Sequence, residues 1–437
     1  MQKKGAQRQA LRVVCGAVAA ALCGLAASGA QAQSYTPMEQ GWVPDADADV
    51  IKLTGDVQVT HDDNLLRVKD SSEAGRYADR GLGDTYLQAG AGIEFDRLIS
   101  QQRLRANARV EGFKYNEYDD FDHVGYNAGA NLDWVIGRPL FGNVGFNLSR
   151  RQPTVQDRVS NALTNVSSDR NNVDGQLLFF NAGFRFTPVW SAIAGVELNR
   201  SRNSLEVYKD TDYDLKSGEA GVRYAPGTGI EVDFVYRKTD GDYRMSQRYD
   251  DNGAELLCAG NCRENDYKED SLLSRVQYRP SEDSRLAGFI GYTKRDYDQG
   301  NRNFRGLTTG FDVEWAISGN VQGRVSLARS IEPDDDAATA SYADTRSIDF
   351  SPVIQATGKI SLGPYLRYYQ RLYKGEQLAA GEAERRDKIL AAGAEVTYEF
   401  RRNMSLLLNA SHERRDSNRN TLDYNANVIG AGLRIQF

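Results

Sequence analysis

The chain has 437 residues, 54 Lys and Arg against 60 Asp and Glu, and a formal net charge of −6. An acidic balance offers nucleic acid no electrostatic footprint, and the length exceeds one ordinary soluble core, leaving several domains or one large barrel. With 41 Gly and 23 Tyr against 10 Pro and 4 Met, composition favours the barrel, and its negative mean hydropathy fits, because barrel strands turn only half their residues to lipid.

The N-terminus carries Lys3, Lys4, Arg8 and Arg12, then the apolar run VVCGAVAAALCGLAASGA, then Ala30-Gln31-Ala32. Basic, apolar and small-residue regions in that order predict a secretory signal peptide over 1–32, directing Sec-type export. Its removal lowers the formal charge to about −10. Residues 33–49, QSYTPMEQGWVPDADAD, read as a short polar periplasmic lead-in to a single barrel over 50–437.

After residue 50, alternation dominates. In VGYNAGANLDWVI, Val124, Tyr126, Ala128, Ala130, Leu132, Trp134 and Ile136 share one face, and Gly125, Asn127, Gly129, Asn131 and Asp133 the other. That is a period of two, not 3.6. The pattern predicts eighteen strands, with cores at 50–60, 85–96, 102–115, 123–136, 140–150, 172–186, 190–202, 212–225, 229–238, 266–279, 284–295, 304–316, 320–330, 343–356, 359–370, 386–400, 403–413 and 424–437. Most reach about 9–11 residues, the length a tilted strand needs to cross a bilayer. Short turns such as Gly137-Arg138-Pro139 and Arg401-Arg402 alternate with long polar loops such as 61–84, 151–171 and 239–265. The prediction is all-β: an antiparallel up-and-down transmembrane barrel of the Gram-negative cell outer membrane, with both termini periplasmic. A β-sandwich would also alternate, but it would not impose regular short and long connections. The final segment, YNANVIGAGLRIQF, is expected to pair with IKLTGDVQV so that no edge is left, placing Phe437 in the lipid-facing aromatic girdle.

The opposite parity faces the lumen. On the third strand it carries Arg103, Arg105, Asn107, Arg109 and Glu111, and on the fourth Asp133. Further along come Glu197, Arg223, Asp233 and Arg237, then Asp312, Glu314, Arg324 and Arg367. Eighteen strands leave room for an aqueous channel, whose charges set selectivity; the same charges would alternatively pair across the wall and fill it. Inward Tyr86, Tyr365 and Tyr369 offer ring faces on which sugars can pack, or else belong to rim packing.

Cys258 and Cys262, the cysteines remaining after processing, are expected to close a small disulfide ring in the 239–265 loop. No metal site is predicted, since no further Cys or His stands nearby, and nothing calls for a cofactor. The clusters Asp250-Asp251 and Asp334-Asp335-Asp336 read as solvated loops, with divalent cations at the lipopolysaccharide surface as the alternative. Catalysis is not expected. His412 follows Ser411, and adjacent strand residues point to opposite faces, so they cannot act as base and nucleophile.

THDDNLLRV, SQQRLRANARVEGFKYNEYDDFD and DWVIGRPLFGNVGFNLSRRQ resemble the EpsL-type exopolysaccharide-biosynthesis outer-membrane β-barrel proteins, grouped with β-barrel porin families. Asp62-Asp63-Asn64-Leu65, the Arg103-Leu104 strand start and the Trp134 to Gly142 hairpin carry the likeness, which spans roughly 50–437; the Cys258/Cys262 loop departs from it. The resemblance implies an outer-membrane exit for a polysaccharide, working with a periplasmic polysaccharide-export protein. Separately, the strand-final Phe437 resembles the C-terminal signal by which barrel-assembly machinery recognises outer-membrane proteins. Composition and periodicity reach only a water-filled barrel in contact with the lipid bilayer and lipopolysaccharide. A small-solute porin and a plugged adhesive barrel are the competing readings.

Overall fold

The computed structural model describes residues 49–152, 171–205, 209, 211–243, 266–281, 284–298, 303–332, 342–374 and 383–437. The expected signal peptide and nearly all of the lead-in lie outside the described residues, as do Cys258, Cys262, Asp250-Asp251 and Asp334-Asp335-Asp336.

In chain order the strands are β1 (Asp49–Asp62), β2 (Asp84–Ile99), β3 (Gln102–Tyr115), β4 (His123–Ile136), β5 (Leu140–Arg151) and β6 (Val173–Arg185). They continue as β7 (Trp190–Asn203), β8 (Tyr213–Tyr224), β9 (Ile230–Tyr243), β10 (Tyr267–Ser281), β11 (Ser284–Tyr297) and β12 (Phe304–Ser318). The last six are β13 (Val321–Glu332), β14 (Tyr342–Phe350, resumed at Val353–Gln355), β15 (Ile360–Lys374), β16 (Arg386–Arg401), β17 (Met404–Ser417) and β18 (Tyr424–Gln436). Both pieces of β14 pair with β13 and β15, so they are one strand interrupted at Ser351-Pro352. Proline has no amide hydrogen to give a ladder, which accounts for the break.

Each strand pairs antiparallel with its neighbours in the chain, and β1 pairs with both β2 and β18. The β1–β18 register runs from Thr54↔Gln436 to Asp62↔Val428. Among the described residues, eighteen strands therefore close one cylinder, as expected. Inside hydrocarbon every backbone polar group needs a partner within the protein, and closure supplies it.

The connections alternate in length. Gly137 takes φ 62 in one short turn, and Gly229 takes φ 78 in another, where a Cβ would meet the Arg279 carbonyl at 2.7 Å. These positions require glycine. The described part of the chain begins and ends on this short-turn side.

Outward positions are apolar and exposed: Leu53, Val57 and Val59 on β1, Leu178, Phe180 and Phe184 on β6, Phe234 and Tyr236 on β9. Aromatics gather near the short turns, with Trp190 against Tyr224 at 4.9 Å and Phe437 open to the outside, as a membrane girdle requires. Toward the long loops the same face becomes charged, with Arg150 on Asp174 at 2.6 Å and Lys216 on Asp242 at 2.7 Å. Among the described residues no helix is long and apolar enough to span a membrane. Here the strands do the crossing.

The β1–β2 connection is not a loose loop. Two short 3₁₀ turns, Ser71–Glu73 and Gly75–Arg80, bring Leu66, Val68, Ala74 and Tyr77 against Tyr118 and Phe121 of the β3–β4 connection. The Asp84 carboxylate accepts from the amides of Glu117 and Tyr118 at 3.1 and 3.0 Å, and the Tyr118 hydroxyl donates to the Gly81 carbonyl at 2.5 Å. Burial pushes the Tyr118 phenol up to about 12.

Candidate functional site: the lumen wall

The wall's chemistry follows from parity. Because adjacent strands share a register, each inward row crosses the ladder as a line of direct partners, and long side chains reach past a glycine to the strand beyond. Arg109 on β3 lies over Gly90 on β2, where a Cβ would meet its Nη2 at 2.6 Å, and bonds both oxygens of Asp56 on β1 at 2.7 and 2.9 Å. Its Nε also bonds Glu111. Arg103 holds Asp96 through two bonds, at 2.8 and 2.5 Å, and Arg105 holds Asp133 at 2.5 Å.

The densest network spans β7 to β10. Arg223, 2% exposed, forks onto Asp233 at 2.6 and 2.8 Å and lies 3.4 Å from Glu231. Arg237 reaches Glu197 at 3.1 Å, and Arg275 takes Glu219 in a fork at 2.8 and 2.6 Å. Farther round, Arg324 bonds Asp312 at 2.8 Å and Arg367 bonds Asp349 at 2.6 Å. Glu314 stands in register between Arg285 and Arg324. Geometry of this kind is strong and directional, and it holds each guanidinium flat against the wall.

A second feature is apolar. Val135, Phe141, Gly183, Ile193, Gly221, Val235 and Leu273 are consecutive cross-strand partners from β4 to β10. Large side chains alternate with glycines: the Phe141 ring fills the place of a Gly183 side chain, and Leu273 leans over Gly291. Phe141, Ile193, Val235 and Leu273 are buried at 3–7% exposure with half-buried Val135 against them, so they pack the wall and are not a slide for solute.

Of the three tyrosines, Tyr86 packs on Tyr115 at 4.8 Å and Tyr365 lies over Gly393 with the Arg367 guanidinium 4.9 Å above its ring. Those faces are already engaged. Tyr369 stands on the inward row of β15, in register with Ser347 and Ile389. The histidines are held by other groups: His61 Nδ1 by Thr85 at 2.9 Å, His123 Nδ1 by the Phe121 carbonyl at 2.9 Å and His412 Nδ1 by Asn427 at 2.8 Å.

Asn107, Asn127 and Asn131 stand inward on β3 and β4 as the alternation predicts, and Asn143, Asn147 and Asn181 join them from β5 and β6. Sequence reasoning missed the three on β5 and β6; the signal that finds them is phase, since each stands two residues from an inward Gly on its own strand.

The stretch THDDNLLRV proves to be a clamp. Asp63 accepts from the backbone and side-chain nitrogens of Asn427, both at 2.6 Å. Asn64 donates to the carbonyls of Val68 and Asn425 at 2.7 and 2.8 Å, and Arg67 bonds Asp62 at 2.7 Å. The first loop is thereby tied to the last strand at the mouth of the seam.

The family described as "Putative beta-barrel porin 2" matches residues 286–437, which cover β11 to β18. No curated protein matches the chain. Among solved structures, OpdL of Pseudomonas aeruginosa is similar at 13% identity and a TM-score of 0.41, covering 89% of this chain and 99% of its own. The alcaligin outer-membrane receptor FauA of Bordetella pertussis is similar at 12% identity and a TM-score of 0.38, covering 89% of this chain and 76% of its own. The chain forms a closed, antiparallel eighteen-stranded β-barrel, and its match to the porin family is confined to the last eight strands.

Proposed function

We propose that this barrel is the outer-membrane channel through which an exopolysaccharide leaves the cell, receiving it from a periplasmic polysaccharide-export protein. In this reading the signal peptide over 1–32 takes the chain to the periplasm. The short turns face that compartment, barrel-assembly machinery inserts the strands, and lipopolysaccharide surrounds the charged outward rim. The observation that carries the reading is the neutralised polar wall: Arg103, Arg109, Arg223, Arg237, Arg324 and Arg367 each have a carboxylate beside them. A long sugar chain moves through a pore when it finds many weak, exchangeable hydrogen bonds and no deep trap. Bare charge would bind ions or charged solutes more strongly, and an apolar wall would offer hydroxyls nothing.

The matching family favours the second reading, a porin for small solutes. Deleting the gene separates the two. Loss of secreted polymer with full-length chains retained in the periplasm, restored by the intact gene, supports export. Unchanged secretion together with liposome swelling in small sugars supports the porin.

A further inference from the structure

We infer that the inner face of β3, β4 and β5 is a binding wall for a neutral polyhydroxylated chain, with Asn107, Asn127 and Asn147 as its hydrogen-bonding groups. This rests on the channel reading above and names the chemistry of what the lumen accepts. Asn107 and Asn127 are exposed, whereas Arg223, Arg237, Arg275 and Arg295 of β8 to β11 are buried in ion pairs. Asn107 Nδ2 donates to Asn127 Oδ1 at 3.0 Å. Asn127 and Asn147 meet only at 3.4 and 3.5 Å. Bonds that long are weak, so a solute hydroxyl replaces them at little cost.

The inward sequence of β4 alternates glycine and amide as Gly125, Asn127, Gly129, Asn131. At Gly129 a Cβ would come within 3.1 Å of Asn147 Nδ2 and 3.3 Å of Asn107 Oδ1. The glycine keeps a backbone-level floor between amides that stand on three strands. An amide both donates and accepts, as a hydroxyl does. A sugar hydroxyl can therefore bond it in either sense, and successive residues of a chain can exchange along the trough.

The cations around the trough are paired: Arg109 is held by Asp56 and Glu111, and Arg105 by Asp133, which leaves the named groups one carboxylate in excess. Such a wall selects an uncharged chain over a polyanion, because its arginines are already engaged and no positive charge is in excess to compensate a carboxylate taken from water.

The test uses full-length protein in planar bilayers, with ion current interrupted by maltohexaose or by an oligogalacturonate of equal length. Wild type is expected to conduct and to be blocked by maltohexaose more strongly than by the charged sugar. Asn107→Ala/Asn127→Ala/Asn147→Ala is expected to weaken the maltohexaose block about tenfold, the equivalent of one or two net hydrogen bonds, while Asn127→Ser retains part of it. If the triple variant does not fold, isosteric Asn127→Asp serves: it should weaken the maltohexaose block and shift ion selectivity toward cations. Conductance with no maltohexaose block, or a block unchanged in these variants, overturns the inference and leaves the channel reading intact. Absence of conductance overturns both.

Discussion

The amide of Leu53 donates to the Phe437 carbonyl at 2.9 Å, and the amide of Phe437 donates back to the Leu53 carbonyl at 2.9 Å. Two residues far apart in the chain thus form a reciprocal pair at the lipid-facing foot of the barrel. Leu53→Pro removes one of these bonds where no water replaces it. We predict a loss of roughly 1–3 kcal/mol, read as a lower urea midpoint for the barrel in lipid vesicles.

At the other end of the same seam, Asp63 grips Asn427 with two short bonds. Asp63→Ala leaves the strands paired but frees the first loop from β18. The expected result is faster tryptic cleavage at Lys69 and Arg80 with an unchanged barrel core. Cleavage at the wild-type rate would mean that the aromatic packing of Tyr77, Tyr118 and Phe121 holds the loop alone.

Burial separates two ion pairs that look alike in sequence. Arg223 is 2% exposed beside Asp233, so Arg223→Met strands a buried carboxylate and should cost about 3–5 kcal/mol. Pairing it with Asp233→Leu should recover much of the loss in a double-mutant cycle. The Arg324–Asp312 pair has side-chain exposures of 47% and 25%, and Arg324→Gln should change stability by less than about 1 kcal/mol.

Arg324 is the better probe of permeation. Reversing its charge with Arg324→Glu beside Asp312 and Glu314 should move the reversal potential in a salt gradient toward cation selectivity. An unmoved potential would place Arg324 off the ion path.

Much of this was legible from the alternation, because lipid on one side and water on the other write themselves into every second residue. The strand ends toward the long loops were not. On β9 the outward residues beyond Tyr236 are Lys238, Asp240 and Asp242, and the inward ones include Arg237 and Thr239. With both faces polar the period vanishes, although the strand continues to Tyr243. Ion-pair partners were hidden for another reason: Arg109 meets Asp56 two strands away only because Gly90 lies between them. The 61–84 stretch reads as polar, yet its scattered Leu66, Val68 and Tyr77 build a small core once Tyr118 and Phe121 arrive from another loop.

The seam itself is the most direct place to measure. Val59 and Ala431 are direct partners across β1 and β18, at a spacing that a disulfide spans. In a background with Cys258 and Cys262 replaced by serine, Val59→Cys/Ala431→Cys is expected to cross-link nearly completely in native membranes. A pair moved two strands away, Val59→Cys/Leu408→Cys, should cross-link far less. Equal cross-linking of both, or of neither, would contradict a closed eighteen-stranded cylinder in this register.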